Sequence, residues 1–158
     1  MTAVRSAAGA ADMATVRALF QEYADWLGID LSYQDFEQEL ALLPGDYAPP
    51  AGRLLLADVD GAAAGCVGLR PLEAGIGEVK RLYLRPAFQG RGLGRRLAET
   101  VVAEARAIGY RALRLDTLSR LTAANALYGG LGFRRIPPYY HNPTEGVLYY
   151  ELDLSNRA

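Results

Sequence analysis

The sequence predicts an α/β fold: one mixed β-sheet of about seven strands, with about four helices packed on its two faces. Three observations carry this expectation. Short apolar runs bounded by Gly, Pro or Asp recur from residue 4 to residue 154. Helical spacing puts Val16, Leu19, Phe20 and Tyr23 on one face of an early segment, and Leu93, Leu97, Val101, Ala105 and Ile108 on one face of a central segment. The order is strand, two helices, three strands, helix, strand, helix, two strands, which is neither a strict βα alternation nor a sandwich. A chain of 158 residues fits a single domain over residues 1–158.

The elements follow in order. Residues 4–8 read as a first strand. Asp12 is expected to cap a helix running to about Trp26, which Gly28 breaks. Ser32 is expected to cap a second helix to about Leu43, with Phe36, Leu40 and Leu43 on its apolar stripe. Pro44-Gly45-Asp46 and Pro49-Pro50 form a loop. Residues 53–59 and 62–69 are strands joined by an Asp60-Gly61 hairpin turn. Residues 78–85 form a strand ended by Pro86, which has no N–H to give to a ladder. Residues 93–108 form a helix with Gly109 as its C-cap. Residues 112–117 form the next strand, and the intervening helix requires it to run parallel to 78–85. A short helix over 123–131 and strands at 133–136 and 147–154 complete the chain, the last two joined by a loop rich in Pro and Tyr.

Composition narrows function. Apolar residues at 51% and charged residues at 22% exclude a disordered or collagen-like chain. No run reaches the roughly 18–20 apolar residues of a membrane span, and Asp12, Glu22, Asp25 and Asp30 interrupt the first 30 residues, so neither membrane nor secretory leader is expected. The single cysteine, Cys66, excludes an internal disulfide and is expected in the core; with one histidine, His141, no metal site is expected. A cytoplasmic setting follows as the expectation. The net charge of −1 hides an asymmetry: residues 1–79 carry 4 basic and 12 acidic side chains, residues 80–120 carry 10 basic and 3 acidic. The basic block suits a phosphate-bearing ligand, the acidic half a cationic one, and solvated charge decoration accounts for either equally well. Nucleic acid is not the expected partner, because the chain is acidic overall and no aromatic residues interleave the arginines.

The chemistry concentrates between Glu78 and Arg95. A strand leads into Gln89-Gly90-Arg91-Gly92-Leu93-Gly94-Arg95, and that turn opens a helix. Alternating glycines admit a bulky anion against backbone, the first N–H groups of the helix point at it, and Arg91, Arg95 and Arg96 add charge. A glycine turn that merely packs helix on strand is the plainer alternative. The Walker signature is absent. A dinucleotide fingerprint fails because its third glycine would fall on Arg95.

Gln89-Gly90-Arg91-Gly92-Leu93-Gly94 resembles the acyl-CoA pyrophosphate signature of the GNAT N-acetyltransferase superfamily, and Asn125-Ala126-Leu127-Tyr128-Gly129-Gly130-Leu131-Gly132-Phe133 is similar to that family's downstream segment. The element order matches over essentially the whole chain; Gly129-Gly130 departs from the bulkier residues usual there. The resemblance implies a centrally splayed sheet and an acetyl group passed from acetyl-CoA to the primary amine of a small-molecule or peptide acceptor in a ternary complex. It implies main-chain amides of Gln89, Gly90, Arg91, Gly92, Leu93, Gly94 and Arg95 on the pyrophosphate, and backbone of the strand segment Leu82-Tyr83-Leu84 along the pantetheine arm. Asn125 would contact the cofactor and Tyr128 its sulfur. Glu78 matches the strand position of the base glutamate in the histone-acetyltransferase branch.

Elementary chemistry agrees with these roles. A phenol of pKa near ~10 is protonated at neutral pH and can protonate a departing thiolate, and an amine of pKa near ~10.4 must first lose a proton. Tyr128 reads equally as a packed aromatic from spacing alone. Glu78 reads equally as a strand-end carboxylate paired with Lys80 or Arg81, and the resemblance also admits a water chain as base. Asp116 has no assigned role. Tyr23, Trp26 and Tyr33 flank the helix–helix junction where the resemblance places the acceptor pocket and read equally as core residues, and His141 is expected on a surface loop. A non-catalytic CoA-binding regulatory module is the second reading, and a homodimer is compatible with the resemblance.

Overall fold

A computed structural model describes residues 1–155, the side chain of Tyr33 excepted. The strands are β1 (Thr2–Ser6), β2 (Arg53–Val59), β3 (Ala62–Glu73), β4 (Ile76–Leu84), β5 (Ala112–Leu118), β6 (Arg134–Ile136) and β7 (Val147–Asp153). The helices are α1 (Gly9–Leu27), α2 (Phe36–Leu42), α3 (Leu93–Ile108) and α4 (Thr122–Gly130). One seven-stranded sheet has the order β1-β2-β3-β4-β5-β7-β6, with β4 and β5 its parallel pair. The mixed α/β class, the parallel step around α3 and the hairpin at Asp60-Gly61 are as expected from sequence.

Two apolar cores sit on the two faces. Leu97 and Val101 of α3 and Tyr128 of α4 pack with Val79, Leu113 and Leu115. Val16, Leu19 and Phe20 of α1 and Phe36 of α2 pack with Leu54, Leu56, Cys66 and Tyr83. Cys66 is fully buried, as expected, its thiol donating to the Arg81 carbonyl at 3.3 Å, and burial pushes its pKa upward.

Several boundaries move. α1 starts at Gly9, three residues before Asp12, with Ala8 at the N-cap. Asp12 still serves that end from the first turn, because its Oδ2 accepts the Ala8 N–H at 2.8 Å and binds Arg5 at 2.7 Å. Ser32 does not cap α2. Residues Ser32–Gln34 form a 3₁₀ turn, and Asp35 takes a left-handed φ of 55° that interrupts the expected single helix. α4 runs through Gly129 and Gly130 despite their poor helix propensity.

Pairing between β4 and β5 covers Ile76↔Ala112, Gly77↔Leu113 and Glu78↔Arg114 and stops there. β4 continues to Leu84 and β5 to Leu118, so the two strands diverge as a fork. One more irregularity shapes it. Cys66 pairs with Tyr83 and Gly68 with Lys80, so β4 spends three residues where β3 spends two. This bulge centres on Arg81, at φ 62°, and turns Lys80 and Arg81 to the α1/α2 face together.

Candidate active site

The fork opens a passage through the sheet. A cavity of about 90 Å³ in it is lined on one side by Tyr23, Trp26 and Gln34 and on the other by Leu121, Ala124 and Tyr128, with Lys80, Leu82 and Asp116 on its lips. Tyr128 reaches it from the α3/α4 core, braced edge-on by Phe133 at 5.7 Å and by Tyr150 at 6.2 Å. Its side chain is buried, and that burial, reinforced by Tyr23 and Asp116, raises its hydroxyl pKa well above the ordinary phenol value. Tyr128 therefore presents a proton donor across the whole neutral range.

A longer groove of about 480 Å³ adjoins the passage, lined by Leu82, Tyr83 and Leu84 of β4, Gln89, Gly90 and Gly94 of the turn, and Arg120 to Ala124 at the start of α4. The structure thus brings the glycine turn, the β4 segment and α4 to one groove. Gly90 and Gly92 have φ of 80° and 78°, and a Cβ on either would meet nothing within 4 Å, so the turn is left-handed backbone facing open space. Gly92 is the N-cap of α3, which leaves the N–H groups of Leu93, Gly94 and Arg95 in its first turn. The Gln89 Nε2 donates to the Leu84 carbonyl at 3.1 Å and locks the turn to the strand end. Arg91 lies over the Phe88 ring and Arg95 near Glu99, both exposed. Asn125 donates from Nδ2 to the Leu118 carbonyl at 3.0 Å, while its Oδ1 is buried with no hydrogen-bond partner among the described residues. Leu127 lines the groove, and Leu131 packs on the core.

Glu78 sits at the last paired position of β4, not in the fork. It is buried, accepting from Arg70 Nε at 3.1 Å and from Tyr139 Oη at 2.6 Å. Its ion-pair partner is therefore Arg70 rather than Lys80 or Arg81. It lines a different cavity, of about 440 Å³, shared with Gln34, Glu39, Tyr47 and Arg70. Glu39 of that cavity also accepts two hydrogen bonds from Arg81, at 2.9 and 3.2 Å, and Arg81 itself lines the passage.

Sequence reasoning did not assemble the cluster of Lys80, Asp116, Gln34, Tyr139, Tyr140 and Tyr149. Lys80 Nζ donates to Asp116 Oδ1 and to Gln34 Oε1, each at 3.2 Å. Tyr140 Oη donates to Asp116 Oδ2 at 2.7 Å, and Tyr139, Tyr140 and Tyr149 pack as one aromatic wall, with Tyr149 edge-on to the other two. Burial drives the Lys80 pKa down, more than Asp116 and Glu78 raise it. Burial would raise Asp116, but Lys80 and the Tyr140 hydroxyl hold it below its ordinary value. The Pro- and Tyr-rich loop offered a signal for Tyr139 and Tyr140, and the strand pattern one for Lys80. None of these signals revealed the pairing. Trp26, half exposed, packs on Tyr23 and Tyr83 where passage and groove meet. His141 is exposed on the loop, as expected.

Known proteins share this architecture. A model of the acetyltransferase (GNAT) family matches residues 14–133. An uncharacterized N-acetyltransferase of Schizosaccharomyces pombe is 40% identical over 146 residues, covering 91% of this chain and 90% of its own. The crystal structure of a GNAT-family acetyltransferase from Staphylococcus aureus superposes with a TM-score of 0.80 at 17% identity, over 98% of this chain and 99% of that one. A putative acetyltransferase from Salmonella typhimurium, solved with its cofactor acetyl-CoA, superposes with a TM-score of 0.69 at 22% identity, over 100% and 96% of the two chains. A family model spanning most of the chain and a relative at this identity over nearly its whole length decide the matter: the chain belongs to the acetyltransferase (GNAT) family.

Proposed function

We propose that the protein transfers an acetyl group from acetyl-CoA to a primary amine by direct attack in a ternary complex, with Tyr128 as the acid that protonates the leaving thiolate. The observation that carries this reading is the buried Tyr128 phenol lining the passage where the sheet forks, next to a groove floored by a glycine turn. The residues fit the cosubstrate. The left-handed turn at Gly90 and Gly92 has open space where a diphosphate would lie, and the amides of Leu93, Gly94 and Arg95 follow it. Among the described residues the β4 backbone from Val79 to Leu84 has no strand partner on its β5 side, so Leu82, Tyr83 and Leu84 can receive an extended arm as an added strand. The orphaned Oδ1 of Asn125 is a buried acceptor waiting for a donor, and an amide of the pantetheine arm supplies one. When bound, acetyl-CoA supplies the activated acyl group; the chain's residues orient it, exclude water and handle protons.

Glu78 enters this reading at one remove. With its oxygens held by Arg70 and Tyr139 and its face turned to the neighbouring cavity, it takes up the acceptor's proton only through water. The acceptor approaches from the α1/α2 face, as a small molecule or the amine of a peptide.

The test is thiol release from acetyl-CoA against a panel of primary amines, with acetyl-CoA affinity measured by titration calorimetry. Acetylated product and dependence on Tyr128 support the reading. Tight CoA binding with no thiol release across the panel, and no effect of Tyr128→Phe, supports the non-catalytic module instead. Gly92→Ala tests the cradle separately. A side chain at φ 78° costs about 1–2 kcal/mol, and it puts a Cβ into space that is open in the glycine turn. Acetyl-CoA affinity is expected to fall about tenfold, which is ~1.4 kcal/mol. An unchanged affinity removes the turn from the binding site.

A further inference from the structure

The fork places one pair of side chains where the acceptor amine must arrive. Glu78↔Arg114 is the last backbone pair between β4 and β5. Lys80 and Asp116 each lie two residues further on, so they stand on the α1/α2 face at the first positions of the two diverging lips. Their side chains bridge the opening at 3.2 Å. Both line the cavity that holds Tyr128, and Glu78 does not.

We propose that Lys80 takes the proton directly from the acceptor amine, with Asp116 holding the acceptor's ammonium beside it; this rests on the acetyl-transfer reading above. The donor inventory supports it. A neutral lysine amine has two N–H groups and one lone pair. Asp116 Oδ1 and Gln34 Oε1 take two directions on Nζ, so the remaining one holds the third N–H of the ammonium and becomes the lone pair once the amine is neutral. The chain's usage supports it too. Lys80 is the only lysine among 17 cationic side chains, and the other 16 are arginines, which do not give up a proton in proteins. An ion pair that merely ties β4 to β5 is served at least as well by arginine. The position instead carries the one cation that can act as a base.

Charged groups from every side face Lys80. Asp116 on β5 and Glu78 on β4 favour its charged form; Arg81 on β4 and Arg70 on β3 oppose it, and burial opposes it most. Tyr140 and Tyr139 draw on Asp116 and Glu78, respectively, through hydrogen bonds. The balance favours the neutral amine relative to a free lysine, which is the form a base needs.

The step then balances. The acceptor arrives as an ammonium on the Asp116 carboxylate and passes one proton to Lys80. Its freed lone pair forms the N–C bond at the thioester carbonyl, and the C–S bond breaks with its electron pair on sulfur. Sulfur takes the phenolic proton of Tyr128, and the second proton of the attacking nitrogen restores the phenol. Lys80 returns its proton to solvent by way of water and Glu78. One proton is released per turnover.

A single lysine makes the test direct. Protein grown with lysine carbon-13-labelled at Cε gives one lysine side-chain resonance, which is followed through a pH titration with and without bound CoA. The expected midpoint lies below the ordinary lysine value of ~10.4. A midpoint at or above that value overturns the proposal. Lys80→Arg and Lys80→Met are then compared over roughly pH 6 to 10. Both are expected to keep CoA affinity, to lose about 100-fold or more in kcat/KM, and to lose the rise of activity with pH that neutralisation of Lys80 produces. Lys80→Arg within about threefold of the native enzyme assigns Lys80 a purely structural bridge and overturns the proposal. Failure of the native protein to bind CoA overturns the acetyl-transfer reading itself. Normal turnover in Lys80→Arg with CoA binding intact overturns only the role of Lys80.

Discussion

Tyr128→Phe is expected to lower kcat for acetyl transfer by about 10²- to 10⁴-fold, the range a positioned general acid supplies, or roughly 2.7–5.4 kcal/mol of barrier. The substitution removes one oxygen and nothing else. The ring keeps its edge-on contact with Phe133 and its contact with Tyr150, so the α3/α4 core and α4 hold their places. Acetyl-CoA affinity is expected to stay within about threefold, because the proposed grip on the cosubstrate lies in the glycine turn, β4 and Asn125. The effect therefore falls on kcat with little change in KM. The pH profile adds a second reading. Burial keeps the phenol protonated beyond the ordinary tyrosine range, so the native enzyme should show no alkaline loss of rate from Tyr128 below about pH 10. Steady-state kinetics over that range checks both. A variant with native kcat reduces Tyr128 to a packed aromatic and leaves the thiolate without a proton donor from α4.

Glu39→Ala is expected to destabilise the fold by about 3–5 kcal/mol, the cost of stranding a buried charge. Glu39 on α2 is the hub beneath the second cavity. Its Oε1 accepts from Arg81 Nη2 at 2.9 Å and lies 3.7 Å from Arg70. Its Oε2 accepts from Arg81 Nε at 3.2 Å and from the Tyr47 hydroxyl at 3.0 Å. The Arg81 side chain is only 3% exposed, so no water replaces the lost carboxylate. Arg81 is also the bulge residue, and losing its anchor releases the β4 distortion that aims Lys80. At roughly 2–4 °C per kcal/mol for a chain of this size, Tm should fall by about 6–20 °C.

The pH dependence of that stability has a definite sign. Burial alone would raise the Glu39 pKa, but the Arg81 hydrogen bonds and charge outweigh it, so the folded value lies below the unfolded ~4.3. Its contribution is complete above the unfolded pKa and is lost as pH falls through the folded one. Glu39→Ala should therefore flatten the acid limb of the stability curve, as read by denaturant unfolding between about pH 3 and 7. A loss under 1 kcal/mol at neutral pH would show that Arg81 finds another partner.

Much of the fold was legible because its signals are local. The α3 stripe from Leu93 to Ile108, the Asp60-Gly61 turn and the Gly90-Arg91-Gly92 turn each announce themselves within a few residues, and backbone sterics act over the same distance. The order of elements then forces β4 and β5 to run parallel around α3. Asp12 and Ser32 show the limit of local reading. Both have the right chemistry for an N-cap, yet the helix boundaries follow the buried faces of α1 and α2 instead.

Residue order alone shows the class of fold, the glycine turn before α3, a phenol on α4 and a carboxylate on β4. Which groups meet is set by the packing of distant segments. A one-residue bulge opposite Val67 turns Lys80 and Arg81 to the same face, against the alternation their spacing implies. A fork beginning after Glu78 puts Asp116 rather than Glu78 at the passage, and a loop some 20 residues beyond β5 brings Tyr140 onto it. These contacts join segments far apart in the chain. Strand register and the burial of two separate cores set them, and no short stretch of sequence records either.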